Sequence, residues 1–224
     1  MTDRGLDIIS VPAMTHGRVL IRPARAGAAR GVLAGFHGYG EGAAAQMDRL
    51  LAIPGSASWT LVSVQALNRF YDRRSQEVIA CWMTQQDRED AISDNIAYVA
   101  AAMDSVPHDD ARPVIFAGFS QGVAMAYRAA CRGPYRAAGV IAVGGDVPPE
   151  LLADSSLVFP PVLVVRGSRD EWYSAAKFEH DIAALTARGV ALQSLVADAG
   201  HEWNEPVGQE AARFLDTCGS VRRT

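Results

Sequence analysis

Short apolar runs alternate along the chain with longer segments in which apolar residues recur at helical spacing. This alternation is typical of repeated strand–helix units, which build a mostly parallel sheet with helices on both faces. Several of the runs consist almost entirely of Val, Ile, Leu and Ala, as expected for strands that are covered on both sides. The pattern therefore predicts an α/β protein, a three-layer α/β/α sandwich around a mostly parallel sheet.

The individual elements follow from the same pattern. Strands are predicted at residues 18–22, 31–37, 59–64, 113–118, 138–143, 161–166 and 191–196, and helices at residues 43–53, 87–105, 121–131, 174–188 and 206–216. Within the second helix, Ile92, Ile96, Val99 and Met103 share one face, which we expect to lie in the core. No repeat and no Pro/Gly/Ser-rich boundary divides the chain, so residues 1–224 are predicted to form a single domain.

Composition narrows the possible functions. The chain has 224 residues, of which 49% are hydrophobic and 21% charged, as in an ordinary folded domain, and this excludes intrinsic disorder. A formal charge of −4 argues against a nucleic-acid partner, which requires a basic surface. The single lysine, Lys177, follows Ala176 and not a glycine, so the chain has no phosphate-binding loop of the Gly-Lys type.

The cysteines and the N-terminus bear on the cellular compartment. Cys81, Cys131 and Cys218 lie far apart and form no Cys-x-x-Cys pair, so we expect free thiols in a reducing compartment. The N-terminal residues lack the basic and then apolar pattern of a signal peptide, and no apolar run approaches the roughly 18 residues that span a bilayer. We therefore expect a cytoplasmic protein without stable membrane insertion, and no cofactor or metal.

The segment Gly118-Phe119-Ser120-Gln121-Gly122 matches the pattern Gly-x-Ser-x-Gly. It follows a predicted strand and precedes a predicted helix. A strand-to-helix turn of this kind holds its central serine in a strained conformation and exposes the hydroxyl at the carboxyl end of the sheet. Ser120 is therefore the predicted nucleophile, and a serine that merely serves a tight turn is the alternative.

A serine nucleophile needs a base, and the base needs a third group that orients it. Of the two histidines after Ser120, His180 falls within a predicted helix, whereas His201 follows a predicted strand through a short loop. Catalytic groups gather in loops at the carboxyl ends of strands. His201 is therefore the predicted base, and His180 is expected to be an ordinary surface or half-buried histidine.

The orienting acid is expected between the serine and the histidine in the chain. Asp170, with Glu171 as its neighbour, ends a loop that follows an apolar strand, and it is the acid that we favour. Asp146 follows the preceding strand and stays an alternative, because some proteins of this architecture place the acid one strand earlier.

A Gly-rich loop, Phe36-His37-Gly38-Tyr39-Gly40-Glu41-Gly42, follows the second predicted strand. An oxyanion hole takes one backbone N–H from such a loop and one from the residue after the nucleophile, here Tyr39 and Gln121. His37 is interpreted as a hydrogen bonder that stabilises the loop. The glycine spacing differs from the dinucleotide-binding pattern Gly-x-Gly-x-x-Gly, so a nucleotide cofactor is not indicated.

Taken together, His37-Gly38, the pentapeptide around Ser120, Asp170 and Gly200-His201 resemble the α/β-hydrolase superfamily. More narrowly, the chain is similar to the phospholipase/carboxylesterase family, which includes bacterial carboxylesterases and acyl-protein thioesterases. Gly-Phe-Ser-Gln-Gly is typical of that branch. The resemblance implies an α/β-hydrolase fold without a large cap domain. Where the family usually has His-Gly-Leu-Gly-Asp this chain has Tyr39 and Glu41, a change at the substrate mouth.

The predicted function is that of a carboxylesterase-type serine hydrolase, which cleaves a small-molecule ester or thioester through an acyl-enzyme. Acyl-protein thioesterase or lysophospholipase activity is the alternative reaction, and a ligand-binding module on a hydrolase fold is the alternative that is not an enzyme. Residues 65–86 have no clear period, and a loop of more than about 15 residues is usually functional. We expect Phe70, Trp82 and Met83 there to line a groove for acyl chains of roughly four to eight carbons, unless the aromatic residues only fill the core. The oligomeric state stays open, a homodimer included.

Overall fold

The computed structural model describes residues 7–25, 29–107, 109 and 111–219. Within these residues the strands are β1 (Arg18–Arg22), β2 (Val32–Phe36), β3 (Thr60–Gln65), β4 (Asn68–Tyr71), β5 (Val78–Cys81), β6 (Val114–Phe119), β7 (Ala137–Val143), β8 (Val162–Gly167) and β9 (Leu192–Ala197). The α-helices are α1 (Ala43–Ala52), α2 (Arg88–Asp104), α3 (Gln121–Arg132), α4 (Pro149–Ala153), α5 (Ala175–Ala187) and α6 (Glu205–Gly219), and a short 3₁₀ helix spans Ser56–Ser58.

Seven of the strands form one sheet, in the order β1-β3-β2-β6-β7-β8-β9. The edge strand β1 pairs antiparallel with β3, and the other pairs in this sheet are parallel. After β2 the chain forms β3 on one side of it and then crosses over to form β6 on the other side, so the strand order reverses at β2. Ligands of α/β proteins bind at the carboxyl ends of strands near such a switch point.

The helices cover both faces of the sheet, because alternate residues of each central strand point to opposite sides. In β2, Val32, Ala34 and Phe36 pack in the same cluster as residues of α2, α3 and α5. Leu33 belongs to the opposite cluster, which includes residues of α1 and α6. The predicted three-layer α/β/α sandwich is thus confirmed, and the strands predicted for the main sheet lie within one or two residues of the observed ones.

The segment 65–86 is the part that the sequence pattern did not resolve. It contains a two-stranded antiparallel hairpin, β4–β5, separate from the main sheet. Every residue of β4 is exposed, so the strand has no alternation of buried and exposed positions by which a sequence could show it. A single bridge between Glu41 and Ala80 connects this hairpin to the Gly-rich loop after β2.

The three cysteines are free thiols. Burial raises the pKa of Cys131 to about 12 and that of Cys218 to about 11, so both thiols stay protonated at neutral pH. None of the helices in the described part of the chain combines the length and the apolar character that crossing a bilayer requires.

Candidate active site

Ser120 lies in the turn between β6 and α3 in a conformation that few non-glycine residues adopt. Its φ is 53° and its ψ is −122°. The turn brings backbones very close together: a Cβ atom on Gly122 would lie 2.1 Å from the carbonyl oxygen of Phe36, and one on Gly118 would lie 2.4 Å from that of Gly122. Glycine is required at both positions. The Ser120 N–H donates to the carbonyl of Val143 at 2.9 Å, which attaches the turn to β7.

Ser120 and the predicted base and acid form a continuous hydrogen-bonded chain. His201 Nε2 lies 2.9 Å from Ser120 Oγ, and His201 Nδ1 lies 2.8 Å from Asp170 Oδ2. An ionised carboxylate only accepts hydrogen bonds, so Nδ1 carries the ring proton and Nε2 accepts from the serine hydroxyl. Strands β6, β8 and β9 bring these three residues to one edge of the sheet.

The carboxylate of Asp170 is held from behind. Asp170 is 4% exposed, and its Oδ1 accepts hydrogen bonds from the backbone N–H groups of Trp172 and Tyr173, each at 2.9 Å. With Oδ1 fixed in this way, Oδ2 faces the imidazole of His201. The two backbone donors also satisfy a buried charge that would otherwise cost free energy of folding.

Asp146 and His180, the alternative candidates for the acid and the base, lie outside this hydrogen-bonded chain. Asp146 follows β7 and its side chain is 57% exposed, with Oδ2 at 3.5 Å from Lys177 Nζ. His180 lies on the exposed side of α5. Among the described carboxylates, it is Asp170 that the structure places on the Nδ1 side of His201.

The Gly-rich loop after β2 lies directly beside the serine. A Cβ on Gly38 would stand 3.3 Å from the Cβ of Ser120. In the described part of the chain, the backbone N–H groups of Tyr39 and Gln121 have no hydrogen-bond partner. The first N–H groups of a helix have no intrahelical partner, which leaves that of Gln121, the first residue of α3, open to an anion.

An ion pair that the sequence did not predict connects this loop to α1. Both carboxylate oxygens of Glu41 accept hydrogen bonds from the Arg49 guanidinium of α1, at 2.7 and 2.5 Å, and Oε2 also accepts the Gly38 N–H at 2.8 Å. Burial alone would raise the pKa of Glu41, but the hydrogen bonds from Arg49 and Gly38 outweigh it and lower the pKa below its usual value. Glu41 is therefore ionised throughout the neutral range. No sequence motif marks this pair, because Glu41 lies in the loop and Arg49 lies eight residues later on α1.

His37 joins three segments around the loop. Its Nδ1 lies 2.7 Å from the carbonyl of Gly38, and its Nε2 accepts the N–H of Ala66 at 3.0 Å. The indole N–H of Trp82 donates to the His37 carbonyl at 2.9 Å. The ring is fully buried and has the stabilising role that the sequence predicts for it.

The buried His37 ring should make the stability of the protein depend on pH. Burial lowers its pKa below the ordinary value of 6.5, against the raising effect of its hydrogen bond to Gly38. Below pH 6.5 His37 binds a proton in the unfolded chain more readily than in the folded protein. The free energy of unfolding should therefore fall as the pH drops. We expect the urea midpoint of the wild type to decrease from pH 7.5 to pH 5.5 by more than that of His37→Gln. His180→Gln, which removes an exposed histidine, is the control, and equal pH dependence in wild type and His37→Gln would contradict this account.

Gln121 contributes more than the backbone N–H that the sequence indicates. Its side-chain Oε1 accepts the N–H of Trp82 at 2.8 Å, and its Nε2 donates to the carbonyl of Met83 at 2.9 Å. The side-chain amide of Gln121 thus pairs with the backbone that follows β5, as a neighbouring strand would. It fixes the end of the hairpin segment to the turn that carries Ser120.

The residues predicted to bind the acyl chain occupy three different environments. Trp82 is completely buried, with its ring 5.5 Å from that of Phe36. Phe70 is 37% exposed, with its ring 6.0 Å from that of Tyr39, and Met83 is half-buried with its sulfur 3.8 Å from Arg128 Nη1. The burial of Trp82 favours the packing role that was its alternative. Substrate contact by Phe70 and Met83 stays a prediction.

A cavity of about 290 Å³ opens next to the serine, on the side of β7 and α5. It is lined by Ser120, Gln121, Ala124, Gly144, Gly145, Asp146, Trp172, Tyr173, Lys177 and His201. Trp172 is 77% exposed and forms part of the rim. A larger cavity, of about 390 Å³, lies at the opposite edge of the sheet, near Arg136 and Phe214, away from this chemistry.

The sequence also matches the model of a known family. The family model for the dienelactone hydrolase family matches residues 62–213, which is more than half of the chain and includes Ser120, Asp170 and His201. The chain belongs to the dienelactone hydrolase family. The resemblance to α/β-hydrolases that the sequence motifs indicated is thereby confirmed. No curated protein matches the sequence of this dienelactone hydrolase family member.

Solved structures with the same fold are numerous. Esterase PE8 is 22% identical with a TM-score of 0.75, covering 91% of this chain and 100% of its own. Acyl-protein thioesterase 2 of Zea mays is 19% identical with a TM-score of 0.69 (92% and 100% covered), and a phospholipase/carboxylesterase of Dyadobacter fermentans is 18% identical with a TM-score of 0.66 (91% and 98% covered). At these identities the likeness shows the fold, which is that of esterase-like α/β-hydrolases.

Within the residues that the structure describes, no group of three or more His, Cys, Asp or Glu side chains is arranged to hold a metal ion.

Proposed function

We propose that this hydrolase cleaves carboxylic esters through an acyl-enzyme, with Ser120 as nucleophile, His201 as general base and acid, and Asp170 as the orienting carboxylate. The observation that carries the proposal is the chain of hydrogen bonds from Asp170 through His201 to Ser120, at 2.8 and 2.9 Å. These distances are within the reach that proton transfer requires. The strained backbone of Ser120 supports the same assignment, since strain of this kind gathers at functional sites.

The first half of the reaction forms the acyl-enzyme. His201 Nε2 takes the hydroxyl proton as Ser120 Oγ attacks the carbonyl carbon, and the carbonyl oxygen becomes an oxyanion. We assign the N–H groups of Tyr39 and Gln121 as the donors to this oxyanion. When the tetrahedral intermediate collapses, the bond to the leaving oxygen breaks and His201 returns the proton to the leaving alcohol.

In the second half, water replaces the alcohol. His201 Nε2 accepts a proton from the water molecule, whose oxygen attacks the acyl carbonyl. As the second tetrahedral intermediate collapses, the bond between the carbonyl carbon and Ser120 Oγ breaks, His201 returns the proton to Oγ, and the carboxylic acid leaves. Asp170 keeps the proton on Nδ1 and stabilises the imidazolium that forms in each half.

A direct test uses the wild-type protein. Mixing it with p-nitrophenyl acetate should release a burst of p-nitrophenol as the acetyl-enzyme forms, and a fluorophosphonate probe should attach to one residue, Ser120, as mapped by mass spectrometry of the digested protein. A folded protein that releases no p-nitrophenol and takes up no probe would overturn the proposal in favour of a ligand-binding module.

The size of the cavity beside the serine supports small acyl groups. About 290 Å³ lies just below the range of roughly 300–1,000 Å³ that is typical of small-molecule sites. Each methylene buried in an apolar site contributes about 0.8 kcal/mol, or about a fourfold gain in kcat/KM. We expect kcat/KM for p-nitrophenyl esters to rise from acetate to an optimum at roughly four to eight carbons and then to fall.

Two tryptophan variants distinguish cavity from core in this series. Trp172→Ala, at the exposed rim, should shift the chain-length optimum, whereas Trp82→Ala should lower the activity on all esters alike together with Tm. A shift of the optimum in Trp82→Ala would restore the groove that the sequence predicts. A steady rise of kcat/KM from acetate to palmitate in the wild type would contradict the size limit itself.

A further inference from the structure

Two separate backbone segments have to be held at a fixed distance for the proposed oxyanion hole to work. One is the loop after β2, which carries the Tyr39 N–H, and the other is the turn after β6, which carries that of Gln121. Electrostatic stabilisation of a transition state depends on donors that are already in place when charge develops. What keeps these two segments in register is therefore part of how the site works.

The loop segment is fixed on both sides of Tyr39. Before it, the Gly38 N–H donates to Glu41 Oε2 at 2.8 Å. After it, the Gly40 N–H donates to the carbonyl of Ala80 at 3.0 Å, and the Ala80 N–H donates to the carbonyl of Glu41 at 2.7 Å. The neighbouring N–H groups of the loop are thus occupied, while that of Tyr39 is not.

Glu41 is in turn held by Arg49, and Arg49 reaches the second segment. The guanidinium pairs with both carboxylate oxygens of Glu41. The side chain of Glu41 is only 25% exposed and that of Arg49 only 17%. The same guanidinium carbon lies 4.1 Å above the ring centroid of Phe119, the residue that directly precedes Ser120. The centroid of the Phe119 ring is also 5.1 Å from that of the His201 ring. A planar guanidinium suits both contacts, since it pairs bidentately with a carboxylate and stacks on an aromatic face.

We propose that Glu41 and Arg49 are positioning residues that fix the loop carrying the Tyr39 N–H to the Ser120 turn, and so set the geometry of the oxyanion hole. Neither side chain touches the reacting atoms. Their contribution appears only when the carbonyl oxygen becomes an oxyanion, because that is when the two N–H groups must point at one atom. This inference rests on the proposed function and adds to it the device that holds the donors.

The expected signature is a loss of kcat without a loss of substrate affinity. Removing one oxyanion donor altogether costs about 10²–10³-fold in kcat, so displacing one should cost less, on the order of 10- to 100-fold. KM should stay within about twofold, because an interaction made only in the transition state does not affect ground-state binding.

The test uses Glu41→Gln, which keeps the size of the side chain and an acceptor for Gly38 but loses the charge paired with Arg49. We expect kcat to fall 10- to 100-fold, and the affinity for phenylboronic acid, which forms a tetrahedral serine adduct, to fall by a similar factor. The matched control is Glu210→Gln, a half-buried glutamate that pairs with Arg213 on α6, and it should behave as the wild type.

A second variant keeps the test decisive if Glu41→Gln folds poorly. Arg49→Lys retains a positive charge for Glu41 but lacks the fork and the flat face that contacts Phe119. It should lower kcat and the boronic acid affinity in the same direction, and Glu41→Asp, which restores a carboxylate, should recover part of the loss. In the double variant Glu41→Gln/Arg49→Lys the losses should not add, because the two residues act as one unit.

The outcomes separate this inference from the proposed function. A wild type that neither binds phenylboronic acid nor turns over esters would remove the proposed function itself. A wild type that does both, with folded Glu41→Gln and Arg49→Lys variants of equal kcat and equal boronic acid affinity, would overturn the positioning role alone. Variants that lose Tm while each folded molecule keeps full kcat would show that the pair serves stability only.

Discussion

Replacing Ser120 by alanine is expected to lower kcat for p-nitrophenyl acetate by at least about 10³-fold while the fold is retained. The hydroxyl is the atom that forms the bond to the acyl carbon, and the described neighbourhood offers His201 no other hydroxyl at hydrogen-bond distance. The alanine keeps the Cβ that the turn already accommodates, so circular dichroism and Tm should stay close to those of the wild type.

A second serine at the same edge of the sheet provides the control. Ser168 is exposed just beyond β8, and its hydroxyl is 3.5 Å from a carboxylate oxygen of Asp198. Ser168→Ala should keep the wild-type kcat and the fluorophosphonate label, and Ser120→Ala should lose both. Near-normal turnover by a folded Ser120→Ala protein would remove Ser120 as the nucleophile.

The sequence predicts where these residues lie because the fold brings the ends of its parallel strands together. The carboxyl ends of parallel strands lie at one edge of the sheet. The loops that carry Ser120, Asp170 and His201 follow such strands, so they are expected to meet at that edge. Continuous apolar strands such as β6 and β8 are the easiest elements to find, since every residue of β6 is buried. The separation of 81 residues between Ser120 and His201 is then bridged by topology alone.

The supporting contacts could not be found in the same way. Glu41 and Arg49 pair through the angle at which α1 leaves the loop, and no motif encodes that angle. The side chain of Gln121 pairs with backbone atoms of Trp82 and Met83, which have the same N–H and C=O groups as any other residue. Such contacts depend on tertiary packing and not on the local pattern.

Trp82 shows the same limit from the other side. The sequence places Trp82 shortly before the predicted helix at residues 87–105, but an aromatic residue near a site is equally compatible with core packing and with substrate contact. In the structure the indole is fully buried and Asn95 of α2 donates to the Trp82 carbonyl at 2.7 Å, which favours core packing. Burial is a property of the packed chain, which the spacing of residues 65–86 does not contain.

The second large effect is expected from Asp170→Asn, which should lower kcat by about 10⁴-fold, as the same change does in serine proteases. The reason lies in the two backbone donors behind the side chain. The N–H groups of Trp172 and Tyr173 require an oxygen at the Oδ1 position, so the amide of an asparagine must turn its NH₂ toward His201. An NH₂ group donates, and His201 Nδ1 must then accept.

The consequence follows through the imidazole ring. If Nδ1 accepts, a neutral ring carries its proton on Nε2, and Nε2 can no longer take the hydroxyl proton of Ser120. Asp146→Asn is the matched control: the same chemical change at an exposed carboxylate, which should leave kcat close to the wild-type value and affect only the contact with Lys177. The reverse ranking of the two variants would show that the working acid follows β7 and not β8. Equal small losses in both would mean that His201 needs no carboxylate to hold its tautomer, and the hydrogen-bonded chain from Asp170 to Ser120 would then have no catalytic role.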